Sequence, residues 1–245
     1  MQTRLAFPSD LPPVRERLRE VFGPQKPGQR LDPVSELIKA MLSVRTYDEV
    51  TWSAFVRLRA AYPDWKALAC AEPWQIAPMI DPVTFSEQKA RQLPTLIRVI
   101  LIQAGEMSLD FLGEMPADEA MAWLTRLPGV GVKVAAATLN FSTLAGRALV
   151  VDTHTHRVAR RLGLTARNGD AREAQASLSA MVPADWSSED LFELHWLMKP
   201  HGQSICTHFD PACDLCALRD ACPRVGVAQD QERSVTPFTP TRVPR

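Results

Sequence analysis

Two glycines set one residue apart, Gly129 and Gly131, divide two amphipathic stretches, and this corner constrains how the chain can fold. Ala120, Met121, Trp123 and Leu124 precede it; Val134, Ala135, Thr138 and Leu139 follow. The stretch Leu127-Pro128-Gly129-Val130-Gly131-Val132-Lys133 predicts a tight turn between helices, with positive φ and no side chain barring a close partner. A helix that starts at such a turn leaves its first N–H groups without intrahelical acceptors, which suits a phosphate. Lys133 is expected one turn into that helix, between Val132 and Val134. A lysine held among apolar groups gives up its proton more readily, and a neutral amine is a nucleophile. Alone, such a corner is an ordinary helix joint. Asp152, nineteen residues beyond Lys133, and a cysteine quartet turn the reading toward chemistry.

Nearly every periodic segment is helical. Residues 13–22 carry Val14, Leu18, Val21 and Phe22 at helix spacing. Asp32-Pro33 predicts a helix start, with the acid as cap and the proline in the first turn. Its buried face is Leu37, Ile38, Met41 and Leu42. Asp48 is expected to cap the next helix, with Trp52, Phe55 and Leu58 inside. Pro63 and Pro73 punctuate two short helices, and Ser86 starts a longer one that Pro94 should kink or end early. Helices over 117–126 and 130–142 flank the glycine corner. Ala148-Leu149-Val150-Val151 is strand-like and too short to found a sheet. Asp152 sits where a helix over 153–162 begins, and two more cover 170–181 and 188–199. The expectation is an all-α protein in two helical domains: a bundle over 34–145, and a second domain from 1–33 and 146–225. A cleft between them would hold Lys133 and Asp152. The Pro-, Arg- and Thr-rich tail, 226–245, is expected to be disordered.

The chain has 245 residues and is 46% hydrophobic and 23% charged, with zero net charge. That composition fits a globular protein, without an apolar run of membrane-spanning length or a secretory leader. A reducing, intracellular location follows as the default, and there cysteines serve metals more than disulfides. Charge distribution says more than the sum. Arg126, Lys133, Arg147, Arg157, Arg160, Arg161 and Arg167 share their stretch with one acid, Asp152. A basic face around the corner fits a polyanion, although an ordinary solvated face reads the same way.

Cys206, Cys213, Cys216 and Cys222 read C-x6-C-x2-C-x5-C in a Pro- and Asp-rich loop. Four thiols within 17 residues need a metal to organise them. Four-cysteine zinc sites use two C-x2-C knuckles, and one pair is present. Single attachments around a larger body favour a 4Fe–4S cube, with zinc still open. Cys70, in an Ala-rich helix, is expected to be a core residue.

The corner through Lys133, the segment Val151-Asp152-Thr153-His154-Thr155-His156-Arg157-Val158 and the cysteine quartet together closely resemble the endonuclease III family. These are helix–hairpin–helix DNA glycosylases with an iron–sulfur cluster. The resemblance runs from about Ser35 to Cys222. It implies that Lys133 attacks the sugar C1′ of a damaged nucleotide and that Asp152 assists. It implies that Leu127, Gly129, Val130 and Gly131 belong to a hairpin whose backbone holds a DNA phosphate, and that the four cysteines bind a 4Fe–4S cluster. Ser43 to Asp48 matches a loop carrying a wedge into the duplex. His154, beside Asp152, is expected to line the pocket; His195 and His201 are expected to be structural. The implied activity is excision of oxidised pyrimidines with cleavage 3′ to the abasic site. The implied partner is damaged double-stranded DNA, met by a cytoplasmic, nucleoid-associated monomer with no membrane partner.

Departures from the family pattern concern the substrate. Arg45 stands where the family places a glutamine, and arginine can donate to the acceptors of an orphan guanine. Asp81-Pro82-Val83-Thr84-Phe85 replaces a glycine-led second loop, and Val132 stands where a basic residue is common. Two rivals remain: a relative acting on a mispaired or deaminated base, and a cluster-bearing DNA-binding or redox-sensing protein with little catalysis.

Overall fold

The computed structural model describes residues 10–227, and among them there are helices and turns but no strand. The helices are α1 (Leu11–Phe22), α2 (Pro33–Leu42), α3 (Asp48–Ala61), α4 (Pro73–Ile80) and α5 (Ser86–Ala104). They continue with α6 (Ala117–Thr125), α7 (Val132–Phe141), α8 (Thr153–Arg161), α9 (Ala171–Ala180) and α10 (Ser188–Ser204). None is long and apolar enough to cross a membrane. The chain forms two compact units. The larger takes in Lys26–Val150 with Ser187–Phe192. The split unit takes in the described parts of Met1–Gln25, Val151–Trp186 and Glu193–Arg245. Of the tail 226–245, residues 228–245 lie outside the described residues.

The larger unit is organised by α2, which packs against α3, α5 and α7. Asp32 accepts from the Ser35 N–H at 2.9 Å, and Pro33 occupies the first turn, so the start of α2 is set by its own sequence. Leu37, Ile38 and Leu42 are fully buried in one core with Leu58, Leu68, Ile76, Leu93, Leu96, Leu124 and Ala135. A short 3₁₀ turn, Trp65–Cys70, packs on α5, and Trp65 Nε1 donates to Ser35 Oγ at 2.8 Å.

Four local expectations are corrected. Pro94 lies inside an unbroken α5. The missing N–H costs about 3 kcal/mol. Ending the helix there would strand Leu96, Ile97 and Ile100, all fully buried, each worth about 1.5–3 kcal/mol. The cap of α3 is Tyr47, with Asp48 in the first turn, and Trp52 is 53% exposed. Cys70 is exposed, because the 3₁₀ turn rotates it away from Leu68 and Ala69. α10 runs past 199 to Ser204, through Pro200.

In the split unit, Glu193 is buried and gathers the N-terminal helix. Arg15 meets it at 2.5 Å, Arg19 at 3.2 Å, and the Gln25 N–H at 3.1 Å. Leu11, Val14 and Leu18 of α1 are fully buried.

Candidate functional site

The glycine corner joins α6 to α7, which pack on each other. Gly129 has φ +78, and a Cβ there would stand 3.1 Å from Met41 Cε and 3.2 Å from the Gln92 side chain. Both conformation and space demand glycine at this position. Gly131 differs from the expectation of positive φ. Its φ is −92, it is the N-cap of α7, and a Cβ would meet nothing within 4 Å. The Val130 N–H closes the turn on Leu127 O at 3.2 Å. Leu127 and Val130 are buried, so their side chains belong to the core and any outside contact they make is through backbone.

Lys133 is half-buried at the second position of α7. The apolar flank foreseen from Val132 and Val134 is incomplete, because the amine donates to Ser43 Oγ at 2.7 Å. Ser43 Oγ in turn donates to Ala40 O at 2.7 Å. The sequence reading missed Ser43 as a lysine partner, since the two residues are 90 positions apart. It also missed Lys89, 5% exposed, whose Nζ donates to Leu42 O and Val44 O, each at 2.8 Å. Burial and the charge of Lys133 push the Lys89 ammonium down to about 8. Glu36 of α2 is raised by burial, against the charges of Lys39 and, more weakly, Lys133; Lys39 Nζ lies 2.6 Å from its carboxylate.

Arg45 and Phe85 stand on two loops that are stitched together. Thr84 Oγ1 donates to Arg45 O at 2.8 Å, and the Thr84 N–H donates to Thr46 Oγ1 at 3.2 Å. The Arg45 guanidinium lies over the Phe85 ring at 5.9 Å. Both residues hold left-handed backbone, φ +56 and +59, which non-glycine residues adopt only where the surroundings impose it. Arg57 grips the second loop as well, donating to Met79 O at 2.8 Å and to Asp81 O.

In the split unit, Asp152 is the N-cap of α8, accepting from the Thr155 N–H at 2.8 Å. Burial opposes its ionisation, but the charge of His195, the Thr155 N–H and the charges of His154 and Lys199 outweigh it. The carboxyl therefore sits below its ordinary value. His154 Nδ1 is 3.2 Å from Arg157 Nη2, and burial lowers its pKa. α8 and α10 touch at Gly202, where a Cβ would stand 2.9 Å from His154 Cβ. His195 and His201 are both 2% exposed.

The expected basic face is partly turned inward. Arg126, Arg147 and Arg167 are exposed, but Arg161 is 1% exposed. Arg161 Nη1 donates to Thr207 O at 2.5 Å and to Cys206 O and Sγ at 3.3 Å, and Nη2 donates to His208 O at 2.7 Å. Arg157 donates to Cys206 O at 2.9 Å and Gly202 O at 2.5 Å. Arginine's fork matches several carbonyls of a loop that has no regular ladder.

Cys206, Cys213, Cys216 and Cys222 line one concavity with Arg161, Ile205 and Pro211. All four are free thiols. Burial raises Cys216 and pushes Cys222 up to about 11, and the neighbouring cysteines add to both shifts. Among the described residues, no group of three or more His, Cys, Asp or Glu side chains is placed to hold a metal ion.

Comparison with known proteins places the chain in a family. Residues 38–184 match the HhH-GPD superfamily base excision DNA repair protein model, and the chain belongs to that superfamily. Endonuclease III of Synechocystis sp. is 32% identical over 78% of this chain and 81% of its own. Endonuclease III-like protein 1 of Gallus gallus is 29% identical over 76% of this chain; the match spans 62% of the chicken protein's length. In fold, the chain resembles a trapped covalent intermediate of endonuclease III with DNA, at TM-score 0.70 and 23% identity, over 89% of this chain and 94% of that one. The protein is thus a base excision DNA repair enzyme of the DNA glycosylase and abasic-site lyase class.

Proposed function

We propose that Lys133 is the nucleophile and Asp152 the assisting carboxylate of a glycosylase that removes oxidised pyrimidines from duplex DNA. The observation that carries this reading is the Lys133–Ser43 contact. A half-buried amine at the head of a helix is pointed by a hydroxyl 2.7 Å away whose own proton is engaged elsewhere. The target base is out of reach inside the stack and must be flipped out. Asp152, ionised at neutral pH, stabilises the positive charge that develops as the glycosidic bond breaks, and takes a proton from Lys133. The amine attacks C1′, and the Schiff base that follows allows elimination of the 3′ phosphate. Gly129 and Gly131 offer backbone N–H groups to a phosphate, the Val130 N–H being held by Leu127 O within the turn, with His154 beside Asp152 in the pocket. Arg45, stacked on Phe85, fills the gap left by the flipped nucleotide and favours guanine on the opposite strand. The enzyme works as a monomer on nucleoid DNA in the cytoplasm.

The cysteine pocket fits a 4Fe–4S cluster. Four free thiols share one concavity without converging as a single ion requires, and four sulfurs around a cube stand farther apart than four around one ion. Cys206, Cys213, Cys216 and Cys222 would hold it, and the cluster would knit the C-terminal loop to α8.

Borohydride trapping tests the reading. The wild type should form a covalent adduct with duplexes containing an abasic site or an oxidised thymine, and Lys133→Gln should bind both without adduct. Adduct on the abasic duplex alone would move the target to a mispaired or deaminated base. Absence of adduct from cluster-loaded protein would leave a DNA-binding role.

A further inference from the structure

α2 ends at Leu42, and a helix end leaves carbonyls without intrahelical donors. Leu42 O and Val44 O, on either side of Ser43, accept from one ammonium, Lys89 Nζ of α5, each at 2.8 Å. Thr46 Oγ1 stands 3.5 Å from the same nitrogen. A cation here also meets the negative end of the α2 dipole. Lysine suits the task because its compact head carries three donors, where a planar guanidinium would need more room.

Ser43 sits between the two gripped carbonyls. Its backbone N–H is held by Lys39 O at 3.0 Å, and its carbonyl accepts from the Thr46 N–H at 3.1 Å. Its hydroxyl proton goes to Ala40 O, so lone pairs face Lys133. A neutral amine that gives one hydrogen to Ser43 has its own lone pair directed away from that bond. The nitrogen is then oriented before substrate arrives. The nearby carboxylate of Glu36 is engaged by Lys39 Nζ at 2.6 Å.

We propose that Lys89 is a positioning residue for the nucleophile. It fixes Ser43 by gripping the carbonyls on both sides, and Ser43 fixes the direction of the Lys133 amine. The proposal rests on Lys133 being the nucleophile. Lys89 needs no contact with DNA for this role, and its effect passes through Ser43.

A double-mutant cycle on the cluster-loaded full chain tests it, using single-turnover borohydride trapping on an abasic duplex, with the Kd of that duplex measured separately. Ser43→Ala and Lys89→Met should each slow trapping by about 10–100-fold, the scale of a misplaced reacting group, with Kd within about two-fold. The double variant should trap no more slowly than the slower single variant, because both remove one chain of contacts. Slowdowns that multiply would overturn the proposal, as would a Lys89→Met protein that loses melting temperature but traps at the wild-type rate. If Lys89→Met does not fold, Lys89→Arg replaces it in the same cycle. Ser43→Ala trapping at the wild-type rate sinks the proposal by itself. A wild type that forms no adduct sinks the glycosylase–lyase reading instead.

Discussion

Asp152 closes the N-terminus of α8 by accepting from the Thr155 N–H at 2.8 Å, so one carboxylate both starts a helix and carries the proposed charge stabilisation. Asparagine caps as well as aspartate. Asp152→Asn should therefore keep the helix cap but melt below the wild type at neutral pH by the carboxylate's own contribution, bind damaged duplex, and turn it over about 100-fold or more slowly. Asp152→Ala should lose a further stability increment of about 1 kcal/mol. The folded carboxyl lies below its ordinary 3.8. Its contribution is present above 3.8 and is lost as pH falls through the folded value. Acid melting curves of wild type and Asp152→Asn should run parallel above 3.8 and change separation below it; a constant separation throughout would contradict the lowered value.

The two glycines of the corner separate stability from binding. Gly129→Ala should destabilise by about 1–2 kcal/mol through its left-handed φ, with the Met41 and Gln92 contacts adding to this. Gly131→Ala should melt like the wild type, since its backbone is extended and nothing crowds the new methyl. Its effect should appear as weaker duplex affinity. Thermal melts beside a DNA titration distinguish the two.

Arg161→Met should be among the most damaging single changes in the split unit. It removes the donor to Cys206 O, Thr207 O and His208 O at once. Cys206 O keeps its bond from Arg157 Nε, so the loss falls on Thr207 O and His208 O, about 1–3 kcal/mol for each that water does not reach. Loss of melting temperature together with loss of visible absorption is the expected result. A variant with both intact would show that the cysteine loop orders itself without this arginine.

Arg45→Gly should stabilise and despecify in one step. Removing a side chain from φ +56 relieves about 1 kcal/mol of strain. The same change removes the group proposed to read guanine, so the excision rate opposite guanine should fall toward that opposite adenine. An unchanged ratio would take Arg45 out of selectivity.

The all-α fold was legible wherever local chemistry marks a boundary. Asp32-Pro33 and Asp152 start helices as their residue types require, because a cap is satisfied within three residues of itself. What escaped depended on distant chain. Trp52 looked like core by helix spacing, yet its face of α3 is only partly covered. Pro94 looked like a break, but the core holds α5 together on both sides of it. Arg157 and Arg161 counted as surface charge until the cysteine loop, more than 40 residues later, supplied carbonyls for them. Nothing local to Ser43 or Lys89 signals the contacts they make with Lys133 and the end of α2; only the meeting of α2, α5 and α7 gives them these partners.

Glu193 also bears on the order in which the molecule can be made. Its partner Arg15 lies 178 positions earlier, and the helix it gathers, α1, emerges from the ribosome well before α10. The buried face of that helix, Leu11, Val14 and Leu18, must wait through most of translation for its cover. Residues 26–150 can collapse meanwhile, apart from their short later segment at 187–192. The nascent chain thus carries an unsheltered apolar stripe on α1 until synthesis has passed through α10 and Glu193 can take its place beside Arg15.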